Sequence, residues 1–183
     1  MTKKILVGYA TWSGATHEVA NVIASQFNHA GFQTDIVNLK ENQDISTYDA
    51  FILGTSIHAS HPMKIFVEFI KKNHPWLIRK PTALFAVCAN MFEDTPENRK
   101  ETLTWLHDSL KDVPEIPFLD IGLFGGAVLT EGADYEKLNP VIKMVIRSMK
   151  KSIVEKMQKD DFRDWDKIKS WTESIITTIK KTS

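Results

Sequence analysis

Short apolar runs that alternate with helical patterns restrict this chain to one broad class of fold. The runs are residues 5–9, 34–39, 50–55, 82–89 and 123–129. The first, third and fourth are apolar almost without a break, as strands covered on both faces are. Between the first two, residues 16–30 set Val19, Val22, Ile23, Phe27 and Ala30 on one helical stripe, and Gly31 is a fitting stop. Residues 62–74 repeat the pattern through Ile65, Phe66, Phe69 and Ile70, with Pro62 suited to a first turn. Two more helices are expected over 96–110, through Leu103, Leu106 and Leu110, and over 164–180, through Trp165, Ile168, Trp171, Ile175, Ile176 and Ile179. Such alternation implies an α/β domain with a parallel sheet and helices on both faces. Residues 130–163 are too long for a plain strand-to-helix connection. They carry their own helical stretch, 138–151, after the cap Asn139-Pro140, and read as an insertion within one domain spanning 1–183.

An apolar fraction of 43% is enough for an ordinary core without a disulfide or structural metal. Lysine plus arginine and aspartate plus glutamate stand at 23 each, so no net field draws the chain to nucleic acid. The sole cysteine, Cys88, excludes an intramolecular disulfide and any multi-cysteine zinc or iron–sulfur site. Its apolar surroundings, residues 83–89, point to a buried and inert thiol. Lys3 and Lys4 precede a short apolar run that ends at Gly8, well short of a signal-peptide core. No run approaches the ~20 apolar residues that span a bilayer. The expectation is a cytoplasmic protein, at most peripheral to the inner face of the membrane.

In an open parallel sheet the ligand site lies beyond the carboxyl ends of the strands. The loop after the first strand reads Thr11-Trp12-Ser13-Gly14-Ala15-Thr16, directly before a helix. Hydroxyls donate hydrogen bonds, glycine lets the backbone approach closely, and free N–H groups with the helix dipole face an anion. Neither GxxxxGK[ST] nor GxGxxG occurs, so the loop suits a terminal monophosphate such as that of FMN. The competing reading is that these hydroxyls merely cap the helix.

This loop resembles the T-x-[ST]-G-x-T phosphate loop of the flavodoxin superfamily. Nearly the whole chain is similar to its menaquinone-dependent protoporphyrinogen IX dehydrogenase branch. The residues that carry this likeness are Tyr48-Asp49-Ala50-Phe51-Ile52-Leu53-Gly54-Thr55-Ser56-Ile57-His58, Phe69-Ile70-Lys71-Lys72, Phe124-Gly125-Gly126-Ala127, the stretch 144–151, and Asp164-Trp165. The resemblance implies a flavodoxin-like, doubly wound, five-stranded parallel sheet of order 2-1-3-4-5, with a helical insertion after the fifth strand. It also implies FMN as cofactor, held by the phosphate loop, by Ser56, Ile57, His58 and Ala59, and by Asn90, Met91 and Phe92. The branch transfers electrons from a porphyrinogen to a quinone. This sequence departs from its better known members in being acidic at Glu93 and Asp94, which leaves Lys64 and Arg99 as cations for a substrate's propionates.

Many electron-transfer flavodoxins stack the flavin between a Trp and a Tyr, and these loops offer neither. An open flavin face leaves room for a second planar molecule, at a cost of about 1 kcal/mol per lost aromatic. His58 is the candidate catalytic residue, as a proton shuttle near neutral pH, with a polar rim as the plain alternative. In the insertion, Leu138, Val141, Ile142, Val145 and Met149 share a stripe, while Lys143, Arg147, Lys150 and Lys151 gather opposite. That pattern fits either packing on the domain or a weak contact with an anionic membrane. The leading functional expectation is an FMN-dependent oxidoreductase with a small-molecule substrate. A flavodoxin-type electron carrier and an FMN module serving a partner protein are the alternatives.

Overall fold

The computed structural model describes residues 2–41 and 43–182. Met1 and Ser183, the ends of the expected domain, lie outside the described residues, as does Asn42. In chain order the elements are β1 (Lys4–Ala10), α1 (Ala15–His29), β2 (Gln33–Asn38), β3 (Ala50–His58), β4 (His61–Pro62), α2 (Lys64–Leu77) and β5 (Thr82–Cys88). A single 3-10 turn, Ala89–Phe92, follows. Then come α3 (Pro96–Leu110), β6 (Ile121–Gly125), α4 (Ala133–Glu136), α5 (Pro140–Met157) and α6 (Trp165–Lys181).

The sheet runs β2-β1-β3-β5-β6, with all four of these pairings parallel. With the two-residue β4 set aside, this is the expected 2-1-3-4-5 order. Alternate side chains of β1 point to opposite layers, as the two-residue period of a strand requires. Leu6 packs with Phe66, Phe69 and Ile70 of α2 and Leu106 of α3. Ile5 and Val7 pack with Val19, Ile23 and Phe27 of α1 and with Ile168, Ile175 and Ile179 of α6. Each such side chain contributes about 1.5–3 kcal/mol of burial. At Gly54 the sheet admits no side chain, because a Cβ there would fall 2.0 Å from the Phe85 ring.

Several boundaries differ from the sequence reading, each for a local reason. Strand β3 continues to His58, and Ala59 and Ser60 then turn the chain at positive φ (47° and 66°), as a tight hairpin demands. The returning β4 sets Pro62 opposite Ile57, so Pro62 belongs to a strand and α2 begins at Lys64. Strand β6 ends at Gly125 rather than 129. There a Cβ would lie 2.0 Å from the carbonyl oxygen of Phe162, whose segment crosses the strand end. Beyond it the chain pairs with the insertion's return, through Val128 N–H to the Asp160 carbonyl (3.0 Å) and Phe162 N–H to the Gly126 carbonyl (2.9 Å). The insertion is therefore an excursion closed at its base.

Within it, Asn139 Oδ1 accepts from Ile142 N–H at 2.9 Å and caps α5 as expected. The helix runs to Met157 rather than 151, and ends where Gln158 takes a left-handed conformation. The expected apolar stripe is buried only in part: Val141 and Val145 stay exposed, while Leu138 and Ile142 are half-buried. Ile146, at 1% exposure, is the residue driven into the domain, whereas Val141 and Met144 are each 66% exposed. Lys143 and Lys150 turn inward to Glu136 (2.6 Å) and Asp160 (2.9 Å). Arg163 fastens the return segment to α1. Its guanidinium reaches Asp161 and Glu18, both at 2.6 Å, and lies over Trp165. Burial opposes its charge, but the two carboxylates outweigh burial and raise its pKa. Among the described residues no helix is long and apolar enough to cross a membrane.

Candidate functional site

The loops that leave β1, β3, β5 and β6 converge at the carboxyl edge of the sheet, around a pocket of about 630 Å3 counting its open mouth. One wall is Thr11, Trp12, Ser13, Ala15 and Thr16, and a second is Ser56, Ile57 and His58. Val87, Cys88, Ala89 and Gly126–Val128 form the floor, and Ile146, Met149, Ile153 and Phe162 of the insertion roof it.

The phosphate-loop wall owes its shape to Gly14, which stands at φ +115° as the residue before α1. A side chain at Gly14 would find room, so the left-handed backbone is what calls for glycine. Thr11 Oγ1 accepts from Gly14 N–H at 3.0 Å and so folds the loop on itself. No side chain caps α1. By contrast Thr95, Asn139 and Asp164 each cap their own helix through a side-chain oxygen. The loop hydroxyls are therefore not helix caps, and the first-turn N–H groups of α1 have no side-chain acceptor.

Three polar atoms at this pocket are buried with no hydrogen-bond partner among the described residues: Thr16 Oγ1, Ser56 Oγ and His58 Nε2. The other such atoms, on Gln26, Thr34 and His74, belong to residues that do not line it. An unsatisfied buried polar group costs about 1–3 kcal/mol, so three around one cavity fit a ligand rich in hydrogen-bonding groups. A phosphorylated, heteroaromatic cofactor such as FMN matches that set. Among the described residues, no group of three or more His, Cys, Asp or Glu side chains is arranged to hold a metal ion.

His58 meets Trp12 edge to face, with ring centroids 4.3 Å apart. Burial pushes its pKa down to about 4, so at neutral pH it faces the pocket as an uncharged imidazole. In that state one ring nitrogen donates and the other accepts a hydrogen bond. Burial likewise pushes the Cys88 thiol up, which keeps it protonated beneath the site.

The loop after β5 is arranged differently from the sequence reading. Asn90 turns its amide to the Asn98 carbonyl (3.2 Å) and Thr102 Oγ1 (3.1 Å), Met91 is buried in the core, and Phe92 is exposed. None of the three lines the pocket; Cys88 and Ala89 line it instead. Ala59, in the β3–β4 turn, also stands outside the lining. Asp94, one of the two acids noted in the sequence, holds Arg99 (2.8 Å) and Lys167, and Thr95 caps α3. Arg99 is thus occupied. The insertion's contribution was missed, since Ile146, Met149, Ile153 and Phe162 look like plain core residues in a segment without strand context.

The family model described as "Flavodoxin domain" matches residues 6–161. Protoporphyrinogen IX dehydrogenase (quinone) of Escherichia coli (strain K12) is 34% identical over 98 residues, covering 52% of this chain and 53% of that protein. The protein of the same name from Leishmania major is 27% identical over 128 residues, covering 68% of this chain and 54% of that protein. The chain thus spans about half the length of these curated relatives. Oxidised Flavodoxin 1 from Bacillus cereus superposes with a TM-score of 0.51 at 20% identity, covering 81% of this chain and 98% of that one. Flavodoxin 2 from the same organism gives 0.52 at 20% identity, covering 80% and 99%.

Proposed function

The chain belongs to the flavodoxin-domain family, and from that premise we propose that it is an FMN-dependent oxidoreductase, passing electrons from a reduced organic substrate to a quinone. The observation that carries this reading is the single pocket at which an uncapped helix start meets the partnerless Thr16 Oγ1, Ser56 Oγ and His58 Nε2. Bound FMN supplies two-electron redox chemistry, and the protein supplies orientation and electrostatics. Thr11, Ser13, Thr16 and the first-turn N–H groups of α1 hold the phosphate. Ser56 and the neutral His58 offer hydrogen bonds to the polar edge of the ring system, and Trp12 and Ile57 offer apolar contact. The roof of Ile146, Met149, Ile153 and Phe162 excludes water above the site and gives a second planar molecule an apolar wall. A porphyrinogen donor and a quinone acceptor are proposed from the names of the relatives.

The outward face of α5 supports a weak contact with an anionic membrane, where a lipophilic quinone resides. Val141, Met144 and Val145 are solvent-exposed, and Arg147 and Lys151 stand beside them on the exposed side of the helix. At roughly 1 kcal/mol per cation near such a surface, the contact is reversible. The test is anaerobic reduction of the FMN-loaded protein by a panel of porphyrinogens, quinols and pyridine nucleotides, followed by reoxidation with quinones. Reduction by a porphyrinogen and reoxidation by a quinone are expected. A flavin that accepts electrons only from a protein donor would replace this reading with that of an electron carrier.

A further inference from the structure

Just outside the pocket two aromatic side chains from separate segments meet at its mouth. Phe92, from the turn after β5, is 41% exposed. It stands edge to face with Phe162, from the insertion's return, at a centroid distance of 6.3 Å and 78° between planes. Phe162 itself lines the pocket, so the pair continues the apolar roof outward. Over the Phe162 ring, at 5.5 Å, lies the ammonium of Lys159.

Lys159 differs from the cations named next in joining no ion pair among the described residues. Lys150 is held by Asp160, Arg163 by Asp161 and Glu18, and Arg99 and Lys167 by Asp94. Lys159 is exposed and joins no ion pair among the described residues, although the Asp161 charge lies within its reach. The same pairings leave the acids Asp94, Asp160 and Asp161 already neutralised, with Glu93 the exposed carboxylate next to Phe92.

We propose that Phe92, Phe162 and Lys159 form a docking shelf that selects an aromatic substrate bearing a carboxylate, the rings receiving its face or edge and the ammonium its anionic group. The inference rests on the oxidoreductase reading and assigns specificity residues to it. An exposed ion pair contributes little, so Lys159 sets a preference rather than the whole affinity.

The experiment titrates FMN-loaded protein with protoporphyrin IX and with its dimethyl ester, following the porphyrin absorption band. For Lys159→Gln the free acid should bind about three- to five-fold more weakly, as loss of an exposed ion pair implies, with the ester unchanged. For Phe92→Ala both should weaken by about three- to ten-fold, the scale of one aromatic contact. FMN affinity should stay constant in both variants, which also reports that they fold. Equal behaviour of acid and ester in Lys159→Gln overturns the shelf, as does a wild-type protein that binds neither porphyrin. If wild type retains FMN and passes electrons to a quinone in those cases, the oxidoreductase reading stands without the shelf. Failure to bind FMN at all would remove both.

Discussion

At the scale of single residues, the site is a matter of unsatisfied polar atoms, and His58 is the most telling. Its folded pKa, about 4, lies below the ordinary value of 6.5, so the unfolded chain binds more protons between those pH values. Stability therefore rises with pH across this window; the contribution is fully present above 6.5 and lost as pH falls toward 4. The shift corresponds to at most about 3 kcal/mol. Urea unfolding of the FMN-free protein at pH 7.5 and pH 5 should show about 2 kcal/mol of this loss, and His58→Asn should flatten it. Gly54 makes a second residue-scale prediction. Gly54→Ala drives a methyl into the Phe85 ring and should cost about 1–3 kcal/mol, read as a lower unfolding midpoint with the same sheet. The pocket's loop 11–16 was legible in the sequence because its chemistry is local: three hydroxyls and a glycine before a helix. The partnerless state of Ser56 and His58 was not, because it depends on what three other segments fail to provide.

At the scale of elements, strands and helices were legible wherever a period ran uninterrupted, as in α1 and α6. The β3–β4 hairpin escaped notice because Ala59 and Ser60 are not residues that announce positive φ. The buried face of α5 was not legible for a different reason. Helical periodicity ranks stripes by apolarity, but the buried face is set by where the insertion is tied down. Those ties are the Asn139 cap, the inward pairs of Lys143 and Lys150, and Arg163. Arg163→Ala should therefore loosen the insertion more than the sheet. The expected cost is about 1–3 kcal/mol, below that of a fully buried pair because Asp161 and Glu18 are half-exposed. Hydrogen exchange should rise in α5 while amides of β1, β3 and β5 stay protected.

At the scale of the whole molecule, the chain joins a sheet edge that carries the pocket to an insertion that roofs it. The order of strands followed from the alternation together with the family resemblance, and it puts the loops of β1 and β3 side by side. The roof could not be read in advance, since it depends on the return segment pairing with Gly126 and Val128. The proposed membrane contact belongs to this scale too. Charge reversal of Arg147 and Lys151, which stand clear of the pocket, should slow quinone reduction on anionic vesicles and fade with added salt. FMN affinity should not change.

The central claim is that the loop 11–16 seats a phosphate, and comparing FMN with riboflavin tests it most directly. Flavin fluorescence titrations of wild type and of Ser13→Ala/Thr16→Ala give both dissociation constants. Two lost hydrogen bonds to a charged group should weaken FMN by roughly 100-fold, while riboflavin, which lacks the phosphate, binds as before. Equal loss for both flavins, or no loss for either, would contradict the account.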